Sequence, residues 1–102
     1  MRPAGIPVRA PSHPGEVLAR LVMAPLGLSQ SRTARLLGLS RRRLHELVHG
    51  QRIMTPDTAI RCAQVFGVDA SWWLLLQSRW DSFHAWQRMR PLRGALPSRL
   101  PA

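Results

Sequence analysis

The stretch from Leu28 to Gly50, LSQSRTARLLGLSRRRLHELVHG, constrains this chain more than any other. Ser29 is placed to cap a helix from Gln30 to Leu37, and Gly38 then stands where a helix end favours a left-handed residue. Ser40 is placed to cap the next helix, Arg41 to His49, and Gly50 closes it in the same way. Only Gly38, Leu39 and Ser40 separate the two. Helices this short are marginal in isolation. They have to be held by a shared core, in the geometry of a helix-turn-helix.

Local punctuation predicts three more helices. His13-Pro14-Gly15-Glu16 reads as a helix start, with Pro at the first position and an acid in the first turn. Val17, Leu18, Leu21 and Val22 form its apolar face at helical spacing, and Pro25 ends it. Gln51 to Met54 is a loop. Thr55-Pro56-Asp57 opens a fourth helix carrying Ala59, Ile60, Ala63 and Phe66 on one face and stopping at Gly67. Asp69 caps a fifth, Ala70 to about Gln87, along which Trp73, Leu76, Trp80 and Phe83 recur at steps of three and four. No stretch alternates with the period of a strand. The expectation is one all-α domain over residues 13–87, between a flexible arm (1–12) and a disordered Arg/Pro-rich tail (88–102).

Charge narrows the partner. All 15 basic residues are arginine and only 5 are acidic, a net charge of +10 on 102 residues. That balance favours a polyanion, nucleic acid first. The single cysteine, Cys62, excludes an intrachain disulfide and suits a reducing cytoplasm. It reads as a small core residue. The longest apolar run, Trp72 to Leu76, is far too short for a bilayer. No signal-peptide core is visible, so the expectation is a cytoplasmic protein with no membrane partner.

On a wheel of roughly 100° per residue, Leu44, Leu47 and Val48 share one side of the third helix. Arg42, Glu46 and His49 point the opposite way, flanked by Arg43 and His45, and Arg41 projects from the N-terminal end. Arginine can grip guanine N7 and O6, and glutamate can accept from cytosine N4. Gln30 is placed for a phosphate contact. Three arginines in a first turn oppose the helix dipole by about 0.3–1 kcal/mol each, a penalty that an anionic partner reverses. The candidate DNA-binding residues are Gln30, Ser40, Arg41, Arg42, Arg43, His45, Glu46, His49 and Arg52.

These features carry a family resemblance. His13–Leu18, Pro25–Ser29, Ala34–Arg42, Leu47–Gly50, Thr55–Ala59 and Trp73 with Leu76-Gln77 resemble the antitoxin of the HigB–HigA toxin–antitoxin system, in the Xre/Cro-type helix-turn-helix family. The resemblance covers roughly residues 12–84. It implies a five-helix lambda-repressor-like (Cro/C1-type) fold and a dimer on double-stranded palindromic operator DNA. It also implies repression of the protein's own operon and inhibition of a RelE-like (HigB) ribonuclease toxin. By the same resemblance Gln30 touches the DNA backbone, while Arg41, Arg42 and Glu46 face bases. His45 and His49 stand where such antitoxins often carry Asn. A solitary Xre-type regulator with no toxin partner is the alternative.

A second alternative uses the same residues. His45-Glu46-Leu47-Val48-His49 matches HExxH, the zinc-protease pattern with two ligands and a general base. It needs a third ligand, for which only His84, Asp57, Asp69 and Asp81 are candidates. It also needs a cleft that a small core does not provide, and the motif lies inside a helix already explained. No catalytic residue, metal or cofactor is therefore expected. Ser12, Ser40 and Ser82 lack a nucleophile-elbow context. His13 and His84 read as structural or surface histidines. The aromatic stripe of the fifth helix exceeds what the inner surface of so small a domain can cover. Trp73, Leu76, Trp80 and Phe83 are thus the expected homodimer interface.

Overall fold

Helices begin in this protein where a side chain can accept a free backbone N–H. In the computed structural model, which describes residues 2–89, His13 Nδ1 accepts from Gly15 N at 3.0 Å and opens α1 (Pro14–Val17). Ser29 Oγ accepts from Arg32 N at 3.1 Å and opens α2 (Gln30–Leu37). Ser40 Oγ does the same for Arg43 N at 3.1 Å and opens α3 (Arg41–Val48). Thr55 Oγ1 accepts from Thr58 N at 3.3 Å and opens α4 (Pro56–Phe66). The last helix, α5 (Ala70–Arg88), departs from the rule. Asp69 holds the cap position, yet its carboxylate accepts from the Ser71 hydroxyl at 2.9 Å and not from the backbone. The all-α fold thus has the expected five helices, with no strand among the described residues.

The first helix changes character midway. After Val17 it continues as a π-helix, Leu18–Met23, and the Ala24 and Leu28 N–H groups reach back five residues to Ala19 and Met23. A wider turn moves the buried face by one position. Leu18 and Met23 are buried, and Leu21, expected on the inner face, is exposed. A comparable correction applies to α4. Ile60 points to solvent, and the inner positions are Thr58, Ala59 and Cys62.

The core joins Leu18 and Met23 to Leu37, Leu44, Leu47 and Met54, and the fully buried indole of Trp73 closes it from α5. Trp73 is therefore a core residue of the single chain and has no surface to offer a dimer interface. Leu76 is half-buried against the same core. Trp80 lies edge-on to His13 at 5.2 Å and meets His84 at a tilt of 45° with centroids 4.0 Å apart, and Phe83 meets His84 edge-on. Both isolated histidines are thus structural. The large apolar side chains that α5 does expose are Trp72 and Leu75.

Two close contacts fix where α3 sits. Gly15 of α1 lies so near α3 that a Cβ there would overlap the Leu47 carbonyl. On the other side, Gln77 of α5 is buried and accepts from Met54 N at 2.7 Å through Oε1. Its amide nitrogen donates to Asp81 at 2.9 Å. The loop after α3 is thereby tied to α5.

Residues 2–13 contain no helix, and Pro7 to Ser12 line a shallow cleft of about 390 Å³ with Val17, Arg20, Leu76 and Arg79. Arg88 is still helical. The expected tail beyond Met89 lies outside the described residues.

Candidate nucleic-acid interface

The turn between α2 and α3 is built by Gly38, whose φ of 68° is the left-handed conformation that glycine adopts without strain. Leu39 is buried beneath the turn, and Ser40 begins α3. A brace from α4 secures it. Arg61 Nη1 donates to the carbonyls of Leu37 at 3.0 Å and Gly38 at 3.3 Å, at the negative end of α2. Arg61 Nε also donates to Asp57 at 2.9 Å, and Asp57 pairs in turn with Arg43 at 3.5 Å. Arg43 completes the brace by donating to the Thr58 hydroxyl at 3.0 Å.

Arg43 is accordingly a correction. Expected beside the DNA-facing residues, its guanidinium is turned inward onto α4 and holds the helix-turn-helix to the rest of the domain. Asp57, Thr58, Arg61 and Gln77 were not legible as functional support. Asp57 announces only a helix start, and nothing local tells that its carboxylate serves two other elements.

The outer face of α3 carries the remaining residues. Arg41 and Arg42 are exposed at its N-terminal end. Arg41 has no hydrogen-bond or ion-pair partner among the described residues. Arg42 Nε donates to Glu46 Oε1 at 3.0 Å, and Arg52, from the following loop, reaches Glu46 Oε2 at 3.4 Å. Glu46 is therefore no free acceptor in this chain, because each of its oxygens already holds an arginine. Ser40 acts as the helix cap. His45 Nδ1 meets the side-chain oxygen of Gln30 at 3.1 Å across the two helices. His49 Nδ1 meets the backbone carbonyl of His45 at 2.7 Å. The two imidazoles are in contact with centroids 4.1 Å apart and planes tilted by 39°. Seven of the nine expected residues are thus at least partly exposed, Gln30, His45 and His49 in one contacting group, Arg42, Glu46 and Arg52 in another, and Arg41 apart from both.

The metal alternative finds little here. Among the described residues no group of three or more His, Cys, Asp or Glu side chains gathers where it could hold an ion. Glu46 is also ion-paired twice, a poor state for a general base. No helix among the described residues is long and apolar enough to cross a membrane.

Residues 18–73 match the helix-turn-helix family, Xre type. The chain belongs to that family. Among curated relatives of this helix-turn-helix chain is the virulence-associated protein I of Dichelobacter nodosus, 38% identical over 95 residues, covering 93% of this chain and 88% of that one. Among solved structures it is similar to the Pseudomonas aeruginosa antitoxin HigA with the higBA promoter. The TM-score is 0.81 at 28% identity, covering 88% of this chain and 99% of that one. It is also similar to an addiction module antidote protein of the HigA family from Coxiella burnetii, with a TM-score of 0.80 at 30% identity, covering 92% and 100%. The structural neighbours of this Xre-type chain are thus HigA-family antitoxins, and none of these three proteins is named as an enzyme.

Proposed function

We propose that this chain is a DNA-binding antitoxin and autorepressor. As a homodimer it binds a palindromic operator through α3, represses its own operon, and neutralises a RelE-like ribonuclease toxin. One observation carries the DNA reading. The α3 face is solvent-exposed and led by Arg41 and Arg42, in a fold shared with an antitoxin described with its promoter. Arginine supplies both phosphate neutralisation and bidentate guanine contacts. The toxin reading rests on the antitoxin neighbours and on the family resemblance.

In the dimer, α5 supplies the contact, with Trp72 and Leu75 as its exposed apolar side chains. Two α3 helices then face half-sites about one DNA turn apart. Leu75→Glu should give monomers in sedimentation; an intact dimer would move the contact off this face. Trp80 is less suited to that test, because it also packs on His13 and His84.

The operator test uses duplex DNA from upstream of the chain's own gene. Arg42→Ala should weaken binding by about 1–3 kcal/mol and relax sequence preference. Wild-type affinity should fall steeply with salt as phosphate counterions are released. An unchanged affinity for the variant and a flat salt response would refute the reading. Co-expression with the product of the adjacent gene then tests neutralisation. Growth arrest that the chain relieves supports the antitoxin. Operator binding without any relief leaves a solitary regulator.

A further inference from the structure

The α3 surface contains arginine donors in plenty, while its one carboxylate, Glu46, is engaged by Arg42 and Arg52. A major-groove reader also needs acceptors if it is to recognise the exocyclic amines of adenine and cytosine. The imidazoles of His45 and His49 supply them, and their bonding partners decide how.

A neutral imidazole has one donor nitrogen and one acceptor nitrogen, and the partner of the first fixes the role of the second. His45 Nδ1 faces the side-chain oxygen of Gln30, which only accepts, so Nδ1 carries the hydrogen. His49 Nδ1 faces the backbone carbonyl of His45, which also only accepts, so the same tautomer holds there. Both Nε2 atoms are left as acceptors. Neither has a hydrogen-bond partner among the described residues, and both side chains are exposed.

Spacing adds a second argument. The two rings are tilted by 39° with centroids 4.1 Å apart, near the rise of about 3.4 Å between successive bases on one strand. Two rings this close can serve neighbouring base positions of a duplex. A metal would compete for the same lone pairs, but no group of three or more ligating side chains gathers among the described residues.

We infer that His45 and His49 are a paired acceptor site for exocyclic amines of adenine or cytosine at two successive base positions. The site rests on the DNA-binding reading and deepens it. Gln30 is a positioning residue, because it sets which nitrogen of His45 faces outward.

The test has two arms, both with EDTA present. Long-range proton–nitrogen correlation spectra of the neutral rings should show hydrogen on Nδ1 of both residues. Predominant hydrogen on Nε2 would overturn the assignment without any reference to DNA. In the second arm, duplexes are selected from a randomised library with the wild-type protein. Bases of the selected site are then replaced singly by purine or 2-pyrimidinone, which lack the amine. At two adjacent positions the loss should be about two- to tenfold, the worth of one hydrogen bond. The matching loss should vanish in His45→Phe or His49→Phe. Gln30→Met should let guanine or thymine substitute at the His45 position. Equal amine dependence in wild type and both Phe variants overturns the inference while leaving DNA binding intact. Failure to select any duplex overturns the reading beneath it.

Discussion

Replacing Gly15 with alanine sets two physical effects against each other. Gly15 is not among the glycines with positive φ, so its backbone conformation suits any residue. By helix propensity alone, Gly15→Ala should stabilise α1 by up to about 1 kcal/mol. Packing gives the opposite sign. The new methyl would overlap the Leu47 carbonyl, and that oxygen belongs to the backbone of α3. Overpacking costs about 1–3 kcal/mol where flexible side chains can yield, and occasionally more. Here the obstacle can move only if a helix moves, which puts the cost at about 3 kcal/mol. The net loss is then about 2 kcal/mol. For a domain this size each kcal/mol lowers Tm by roughly 4–8 °C, so the expected drop is roughly 8–16 °C by far-UV circular dichroism. Gly67→Ala is the control. Nothing lies within 4 Å of a Cβ there, but its φ is 73°. It should cost only left-handed strain, about 1 kcal/mol. A Gly15→Ala protein whose Tm rises, or falls by less than its control, would refute the argument that α1 and α3 touch through their backbones.

Three further outcomes follow from buried groups. Gln77→Leu removes the acceptor of the Met54 N–H in a buried site and should cost about 1–3 kcal/mol in urea denaturation; an unchanged midpoint would mean the loop is held by packing alone. Burial lowers the His13 pKa from its ordinary 6.5, against weaker opposing pulls from Glu16 and Asp81. The unfolded chain therefore binds this proton more readily than the fold does. Its stability contribution should be complete above pH 6.5 and diminish as pH falls through the folded value, visible as a declining Tm that His13→Asn flattens. Burial also pushes the Cys62 thiol up to about 11, so iodoacetamide should label it only on unfolding. Fast labelling of the native chain would place Cys62 outside the core.

What was legible in the sequence was mostly local. Ser29, Ser40 and Thr55 cap helices through atoms three residues away, and the sequence states such arrangements directly. Leu21 lies outside the core and Met23 inside it because 3.6 residues per turn does not hold there, where the backbone takes a wider π turn. The α5 stripe was ambiguous for a different reason. Trp72 and Trp73 are adjacent, and only the depth of the cavity left by the other helices decides which indole is swallowed. The braces from Asp57, Arg61 and Gln77 to other elements join residues 14–24 apart in sequence, the longest being Arg61 to Leu37 at 24. No periodicity encodes such pairings.

The arginine triplet could not have had a single role. Successive residues on a helix point about 100° apart, so a run of three spreads over more than half the circumference. Arg43 therefore faces α4, where Asp57 and Thr58 receive it. Arg42 lies one turn from Glu46 and is held by it. Arg41 alone is left without a partner among the described residues. The dipole penalty that made all three look costly is thus offset inside the fold for two of them. For DNA this has a consequence. An exposed ion pair such as Arg42–Glu46 is worth about 0–1 kcal/mol, less than the 1–3 kcal/mol of a bidentate guanine contact. Arg42 gives only its Nε to Glu46, so on the proposed DNA reading its terminal nitrogens can reach a base while Glu46 stays engaged. On that reading Glu46 is less a reader of cytosine than the group that holds two arginines ready. On the same reading, the acceptors left to face the groove are the imidazoles.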